Sequence, residues 1–372
     1  MTTTPTKTND SQADVSVASG SNPGCPRCDQ SSGPAMAPSP AAVRAQRNQA
    51  LDFTKGVLVL FMVLYHWINY FVSTEGYFYR YLRFITPSFI FITGFLITQV
   101  YLAKYDRGDL RVPKRLLQRG LKLLALFTLL NVGAGLVAGR NHHGPSLGLG
   151  SSAADLFHVY VSGGGQGAIF QVLVPISYLL VLCGGLLLAR AWFHYSVYAV
   201  SAALFVGIFV LDLAGLLSGN LELIGIGFLA IFLGSVRTER IDGLAAHWGW
   251  ILLAYLAYLV AVSIWGVVYP LQVAGVCLSL MLIYLAGTKS SGQGAVQNRI
   301  LLLGRYSLLA YIVQIVVLQL LRRGMHPADL GSGMLVTSLF LATALTDITV
   351  EAVEFGRKQS TALDSLYRAV FA

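Results

Sequence analysis

Apolar residues run along this chain in long uninterrupted blocks rather than in the period of two that marks strands. The blocks lie near 51–72, 80–103, 115–139, 168–189, 192–215, 219–236, 246–266, 267–288, 300–320 and 333–355. A helix crossing the hydrocarbon core needs roughly 20 mostly apolar residues, and a helix satisfies its own backbone there. The pattern therefore predicts an all-α fold, a polytopic integral membrane helical bundle of about ten transmembrane helices. Short polar hinges separate most blocks. Residues 1–46, rich in Ser, Thr, Pro, Ala and Gly without apolar period, read as a disordered tail with no cleavable signal peptide ahead of it. The transmembrane domain covers 47–356, and 357–372 reads as a C-terminal tail. The one sizeable internal loop, 140–167, carries Arg140, His142, His143 and the run Gly163, Gly164, Gly165, and is a candidate lid or acceptor-side loop.

Composition removes the soluble alternative. The 372 residues are 55% hydrophobic and 12% charged, with a mean hydropathy of +0.64, more apolar surface than a soluble domain can hide. The net charge of +9 is a matter of topology. With the N-terminus inside, five of the 26 Lys and Arg residues (Arg80, Arg83, Arg140, Arg322, Arg323) face outward and the rest inward, as the positive-inside rule requires. Both termini are then expected in the cytoplasm and the protein in the plasma (inner) membrane, its basic loops against anionic lipid and no nucleic acid needed as partner. Cys25 and Cys28 form a CxxC with no second pair at metal-ligand spacing, and His142 and His143 lack further ligands, so no metal is expected. Cys183 and Cys277 fall in predicted spans and read as small packing residues.

Ionisable and polar groups inside spans call for a partner or a task. In the first span, LDFTKGVLVLFMVLYHW, a helix places Lys55 at about 300° and His66 at about 320° from Asp52, so all three share a face. His66 lies roughly 21 Å along the axis from Asp52, past the midplane. It reads either as a proton-transferring imidazole in a buried cavity or as a packing histidine bonded to a carbonyl. Asp52 and Lys55 suit an i, i+3 ion pair at the helix end. The third span opens VPKRLLQRGLKLL, where Arg115, Arg119 and Lys122 at i, i+4 and i+7 could grip phosphates or snorkel to headgroups. The tenth span carries Asp347, Glu351 and Glu354 at the same spacing, expected to neutralise the basic stripe across the bundle. The ninth holds Arg305 and Tyr306, then Ser307, Tyr311 and Gln314 in one hydrogen-bonding stripe. Arg80 and Arg83 on the second span could meet an anionic acceptor or anchor the interface.

Several of these segments together resemble the transmembrane acyltransferases, the group that includes the acyltransferase-3 proteins, glucan-succinylating membrane proteins and bacterial relatives of heparan-glucosaminide acetyltransferase. The residues that carry the resemblance are LDFTKGVLVLFMVLYHW, PSFIFITGFLI, KRLLQRGLKLL, FLGSVR and LGRYSLLAYIVQ, over roughly residues 47–320. The resemblance implies that His66 is the essential residue. It implies that Arg115 and Arg119, with Lys122 and Lys55, bind the phosphates of cytoplasmic acyl-coenzyme A, the co-substrate. It further implies that an acetyl- or succinyl-type group passes to a hydroxyl or amine of an extracytoplasmic carbohydrate or other small acceptor. Asp52, Tyr306, Ser307, Tyr311 and Gln314 would support the cavity, with Arg80 and Arg83 on the acceptor side and no metal or prosthetic group. A homo-oligomer is compatible with this picture.

Two positions depart from the family pattern. Lys55 stands where Arg is common, keeping the charge without the planar fork, and Gln314 stands where His is common, losing any titration. With no serine or cysteine nucleophile in view, direct transfer in a ternary complex is expected over an acyl-enzyme. The alternative reading is a proton-coupled secondary transporter of a small polar solute using the carboxylates of the tenth span, which should show two similar halves; no internal repeat is visible.

Overall fold

The carbonyls and amides of a chain in lipid must be paired within it, and this one pairs them helix by helix. The computed structural model describes residues 48–72, 78–102, 110–138, 157–161, 163, 170–190, 196–216, 218–236, 243–289, 294–325 and 332–371. The N-terminal segment with Cys25 and Cys28, and Arg140, His142, His143 and most of the 140–167 loop, lie outside the described residues. Among the described residues the regular structure is helical throughout. The helices are α1 (Gln49–Trp67), α2 (Tyr79–Leu82), α3 (Ile85–Leu96), α4 (Arg111–Ala138), α5 (Leu173–Arg190), α6 (Val197–Leu213), α7 (Gly219–Leu233), α8 (Trp248–Trp265), α9 (Tyr269–Lys289), α10 (Ala295–Arg305), α11 (Ser307–Gly324), α12 (Ser332–Gln359) and α13 (Thr361–Phe371).

Eight helical stretches are long and apolar enough to cross a membrane, and α6 and α7, at 17 and 15 residues, are shorter apolar helices. In order they correspond to the ten predicted blocks. The short α7 is enclosed by protein, with Ile224, Ile226, Phe228, Ala230 and Ile231 all buried against α3, α5 and α6. α8 is the opposite case: Leu253, Leu256, Val260 and Ile264 are exposed along it, with Trp248 and Trp250 at one end and Trp265 at the other. That distribution is an apolar lipid-facing stripe bracketed by aromatic residues at interfacial depth.

Several hydroxyl side chains within the spans are satisfied by their own helix. Thr54 donates to the Ala50 carbonyl at 2.8 Å, Ser88 to Phe84 at 2.7 Å, Thr93 to Phe89 at 2.8 Å and Ser177 to Leu173 at 2.5 Å, the i−4 back-bond that lets a hydroxyl sit in an apolar helix. Others tie helices together. Trp67 Nε1 donates to Ser338 Oγ at 2.8 Å, joining α1 to α12. Thr98 and Gln99 donate to the Ile231 and Gly234 carbonyls at 3.0 and 2.8 Å, covering the unpaired carbonyls at the end of α7.

The tightest contact in the bundle is between α1 and α10. Gly56 lies against the Ile300 carbonyl and Gly304 against the Asp52 carbonyl, so close that a β-carbon at either position would overlap the opposite backbone. The pairing order makes the helices antiparallel. Without a hydrophobic force between helices in lipid, such glycine-to-backbone approach is how dispersion and packing hold them. Gly94 on α3 makes a similar approach to the Gly227 carbonyl of α7.

Two expectations change. The ninth block is not one span: the chain breaks at Tyr306 (φ −107°, ψ 27°), leaving amphipathic α10 against α1 and starting the span at Ser307. In the segment expected as a C-terminal tail, 357–372, α12 runs on to Gln359 and Thr361–Phe371 form α13, whose Tyr367 and Phe371 pack back on the bundle.

Replacing Gly304 by Val is expected to force α1 and α10 apart, at a cost of about 1–3 kcal/mol as for other overpacked sites. The check is thermal unfolding in detergent against Gly133→Ala, whose β-carbon meets nothing within 4 Å. Equal melting temperatures for the two variants would contradict the close approach.

Candidate functional site

His66 sits at the last full turn of α1, where the helix widens into a π-type turn over Ile68–Val72. Such turns re-aim side chains and are frequent at functional sites. Its ring is edge-on to Tyr65 (centroids 5.2 Å apart, 76°), stacked with Tyr70 (6.3 Å, 28°) and tilted against Tyr311 of α11 (6.2 Å, 48°). Nε2 is enclosed and has no hydrogen-bond partner among the described residues. A buried polar atom without a partner is unusual and points to a function or an unseen partner such as water. Phe170 packs edge-on against Tyr311 at 6.0 Å. It does so from a left-handed backbone conformation, φ 65°, uncommon for a bulky side chain and held by its surroundings.

On the other side of Tyr311 lies a cavity of about 230 Å³. Its walls come from α3 and the π-type turn that extends it (Ile97–Leu102), and from α4, α5, α11 and α13. Arg119, Lys122 and Tyr101 line one part of it, with the Arg119 guanidinium donating to the Tyr101 hydroxyl. Ser307, Thr93 and Tyr311 add hydroxyls, and the rest is apolar, including Leu96, Ile176, Leu180 and Leu308. The order is thus cations, apolar chamber, Tyr311, His66. Val370 and Phe371, at the end of α13, complete the lining.

The remaining expected site residues are distributed around this axis. Arg115 is exposed on α4, one turn before Arg119, and does not line the cavity. Lys55 and Asp52 form the i, i+3 pair at 2.7 Å, almost closed to solvent. Gln314 is fully buried, and neither its amide nitrogen nor its oxygen has a partner among the described residues. Arg80 donates to the Ser263 carbonyl at 3.4 Å, and Arg83 lies near the Glu222 carboxylate.

The acidic stripe does not face the basic one. Arg299 of α10 takes Asp347 at 2.8 Å and Glu351 at 3.6 Å, while Glu354 takes Lys358 at 3.0 Å and the Tyr306 hydroxyl. Proximity decides this: α12 packs on α10 and α11, whereas the basic stripe belongs to α4. Tyr306 also accepts from Arg357 at 2.6 Å. Arg357 in turn reaches Asp364 at 2.5 Å and lies 4.0 Å above the Tyr367 ring. These contacts fasten α13 beside the cavity. The Arg357 guanidinium holds the Asp364 carboxyl below its ordinary value.

Sequence reasoning did not single out Tyr65, Tyr70, Tyr101, Phe170 or the α13 residues. Tyr65 and Tyr70 flank His66 in sequence and were readable as its ring neighbours; Phe170 and Phe371 arrive only through tertiary packing. Among the described residues no group of three or more His, Cys, Asp or Glu side chains is placed to hold a metal ion.

A family model described as an acyltransferase domain matches residues 48–350. The match takes in α1 through most of α12, including His66, the cationic stripe and Tyr311, and ends before α13. No curated protein matches the chain.

Asp364→Asn is expected to loosen α13, raising the mobility of a spin label placed at position 371 while leaving that of a label on α8 unchanged. In the wild type the same loosening belongs to acid. A carboxyl with a depressed folded-state pKa lends its stability above the unfolded value and loses it as pH falls through the folded one. An unchanged spectrum in the variant would separate α13 from the Arg357 contact.

Proposed function

Because the chain belongs to the acyltransferase-3 family of membrane acyltransferases, we propose that it moves an acyl group from cytoplasmic acyl-coenzyme A to a hydroxyl or amine of an extracytoplasmic glycan or similar acceptor. The single observation that carries the reading is the sequence of contacts: Arg119, Lys122 and Tyr311 line one largely apolar chamber, and Tyr311 packs against His66, whose Nε2 is enclosed and unpartnered among the described residues. An anionic donor with a long flexible arm and a thioester at its tip suits this order. Its phosphates meet the cations, for which Arg offers a bidentate fork and Lys a point charge, and the arm fills the apolar chamber. The positive-inside rule favours placing the cationic end in the cytoplasm.

His66 is the general base. Its Nε2 takes the proton of the acceptor hydroxyl or amine as that atom attacks the thioester carbonyl, and the leaving thiolate receives a proton in turn. A positioned imidazole contributes about 10²–10⁴-fold, and holding both substrates in line accounts for much of the rest. Direct transfer is favoured over an acyl-enzyme. Ser307, the serine of the cavity lining, has no His, Asp or Glu beside it in that lining, and the buried Cys183 lies on α5, outside it. The Asp52–Lys55 pair and Gln314 act as supports of α1 and α11 in this scheme, and the acidic residues of α12 are structural.

His66→Ala is expected to reduce transfer of label from acetyl- or succinyl-coenzyme A by at least about 100-fold with membrane insertion intact. Retained activity would remove His66 from the mechanism. Arg119→Gln is expected to raise the donor KM by about tenfold, the size of one lost charge-assisted hydrogen bond, with kcat less affected; a change confined to kcat would move the phosphates elsewhere. Movement of solute across proteoliposomes without acyl-coenzyme A would replace the whole reading by a transporter.

A further inference from the structure

The side of His66 away from the donor cavity carries its own chemistry. His66, Asn69 and Tyr70 stand at i, i+3 and i+4 and so share one face at the end of α1. Asn69 Oδ1, like His66 Nε2, is enclosed without a partner among the described residues. Tyr70 stacks on the His66 ring, and the guanidinium of Arg322, from the last turn of α11, lies 5.7 Å above the Tyr70 ring. Gln319, one turn earlier on α11, lies beside the Tyr70 hydroxyl. Arg322 is exposed and has no carboxylate partner among the described residues.

A cation in the last turn of a helix is ordinary, because it complements the helix dipole and anchors the interface. Arg323, exposed beside it, serves that purpose equally. What separates the two arginines is the aromatic face beneath Arg322, which orients its guanidinium and connects it through one ring to the imidazole. We infer that Arg322, Tyr70 and Asn69 form the acceptor subsite, and that the acceptor is an anionic carbohydrate, one bearing a carboxylate or a phosphate close to the hydroxyl that is acylated. The guanidinium takes the anionic group in a bidentate contact, and the Asn69 oxygen accepts from a sugar hydroxyl. The reacting hydroxyl then points to His66. This assignment rests on the acyltransferase reading, and it places acceptor recognition on α1 and α11 instead of on Arg80 and Arg83, whose side chains lie toward α8 and α7.

The test is equilibrium binding, without donor, to the full chain in nanodiscs of zwitterionic lipid. The probes are methyl glucuronide (carboxylate), glucose 1-phosphate (phosphate) and methyl glucoside (neutral). At least one charged probe is expected to bind about tenfold or more tighter than the neutral one, the size of one charge-assisted hydrogen bond, and which one does so names the anion. Arg322→Gln should abolish the preference, Arg322→Lys should keep part of it, and Arg323→Gln should leave it whole. Equal affinity for all three probes, no saturable binding of either charged probe, or a preference that survives Arg322→Gln would overturn the subsite. So would equal loss in Arg323→Gln, which would reduce the effect to charge at the helix end. Repeating the measurement with phosphatidylglycerol in the disc separates a sugar from a lipid headgroup: strong competition by that lipid, with no charged sugar bound in its absence, assigns Arg322 to lipid. His66→Ala is expected to lose acyl transfer and keep the charged-probe preference, so failure of the subsite and failure of the acyltransferase reading give different results.

Discussion

The position of α1 governs the molecule, and backbone-to-backbone contact sets that position. α1 touches α3, α9, α10, α11 and α12, and its closest neighbour is α10, met through Gly56 and Gly304 with no side chain between. In lipid this arrangement has a particular force. Apolar side chains gain little by leaving lipid for one another, so helices hold where small residues let their backbones approach and interdigitate. The same contact fixes the height of the helix. His66 lies ten residues beyond Gly56, so the axial position of the imidazole relative to α11 and the cavity follows from the glycine register. The Asp52–Lys55 pair then closes the turn next to that contact.

A second constraint shapes the polar groups. Charged side chains among the described residues pair with neighbours on adjoining helices or the next turn: Lys55 with Asp52, Arg299 with Asp347, Lys358 with Glu354. Hydroxyls return to their own helix. Against that background, the enclosed side-chain atoms without a partner among the described residues stand out: His66 Nε2, Asn69 Oδ1 and both polar atoms of Gln314, on α1, the π-type turn that extends it and α11, and Ser201 Oγ, Ser279 Oγ and Asp347 Oδ1 on α6, α9 and α12. Unsatisfied polar atoms in such a setting are costly. Four of these atoms belong to His66, Asn69 and Gln314, on the two helical segments that bring His66 against Tyr311.

The ten apolar blocks were legible because each must cover the hydrocarbon core, a requirement that leaves its length and composition in the sequence. His66 was legible for the complementary reason, as a titratable side chain in the middle of such a block. The break at Tyr306 was not, since Leu301, Leu302 and Leu303 continue the apolar run and hydropathy does not distinguish lipid from a neighbouring helix. The acidic stripe of α12 was seen but given the wrong partner. Spacing shows that three charges share a face, while the choice between Arg299 and the α4 stripe depends on which helices adjoin. Arg299 sat inconspicuously in a hinge between blocks. α13 falls in the segment read as a C-terminal tail beyond the tenth span; its apolar positions, Leu363, Leu366, Tyr367, Val370 and Phe371, recur at helical spacing, and only the fold shows that two of them reach the cavity.

The family match and the cavity do not end at the same residue, and the difference has a structural meaning. The match stops at Val350, yet Val370 and Phe371 line the chamber beside Arg119 and Lys122, fastened by Arg357 to Tyr306, Tyr367 and Asp364. The wall next to the cations is thus built from a segment outside the family core, whereas His66, Tyr311 and the glycine contact that locates them lie within it. The matched part holds His66 against Tyr311, and α13, outside it, adds two residues to the chamber lining.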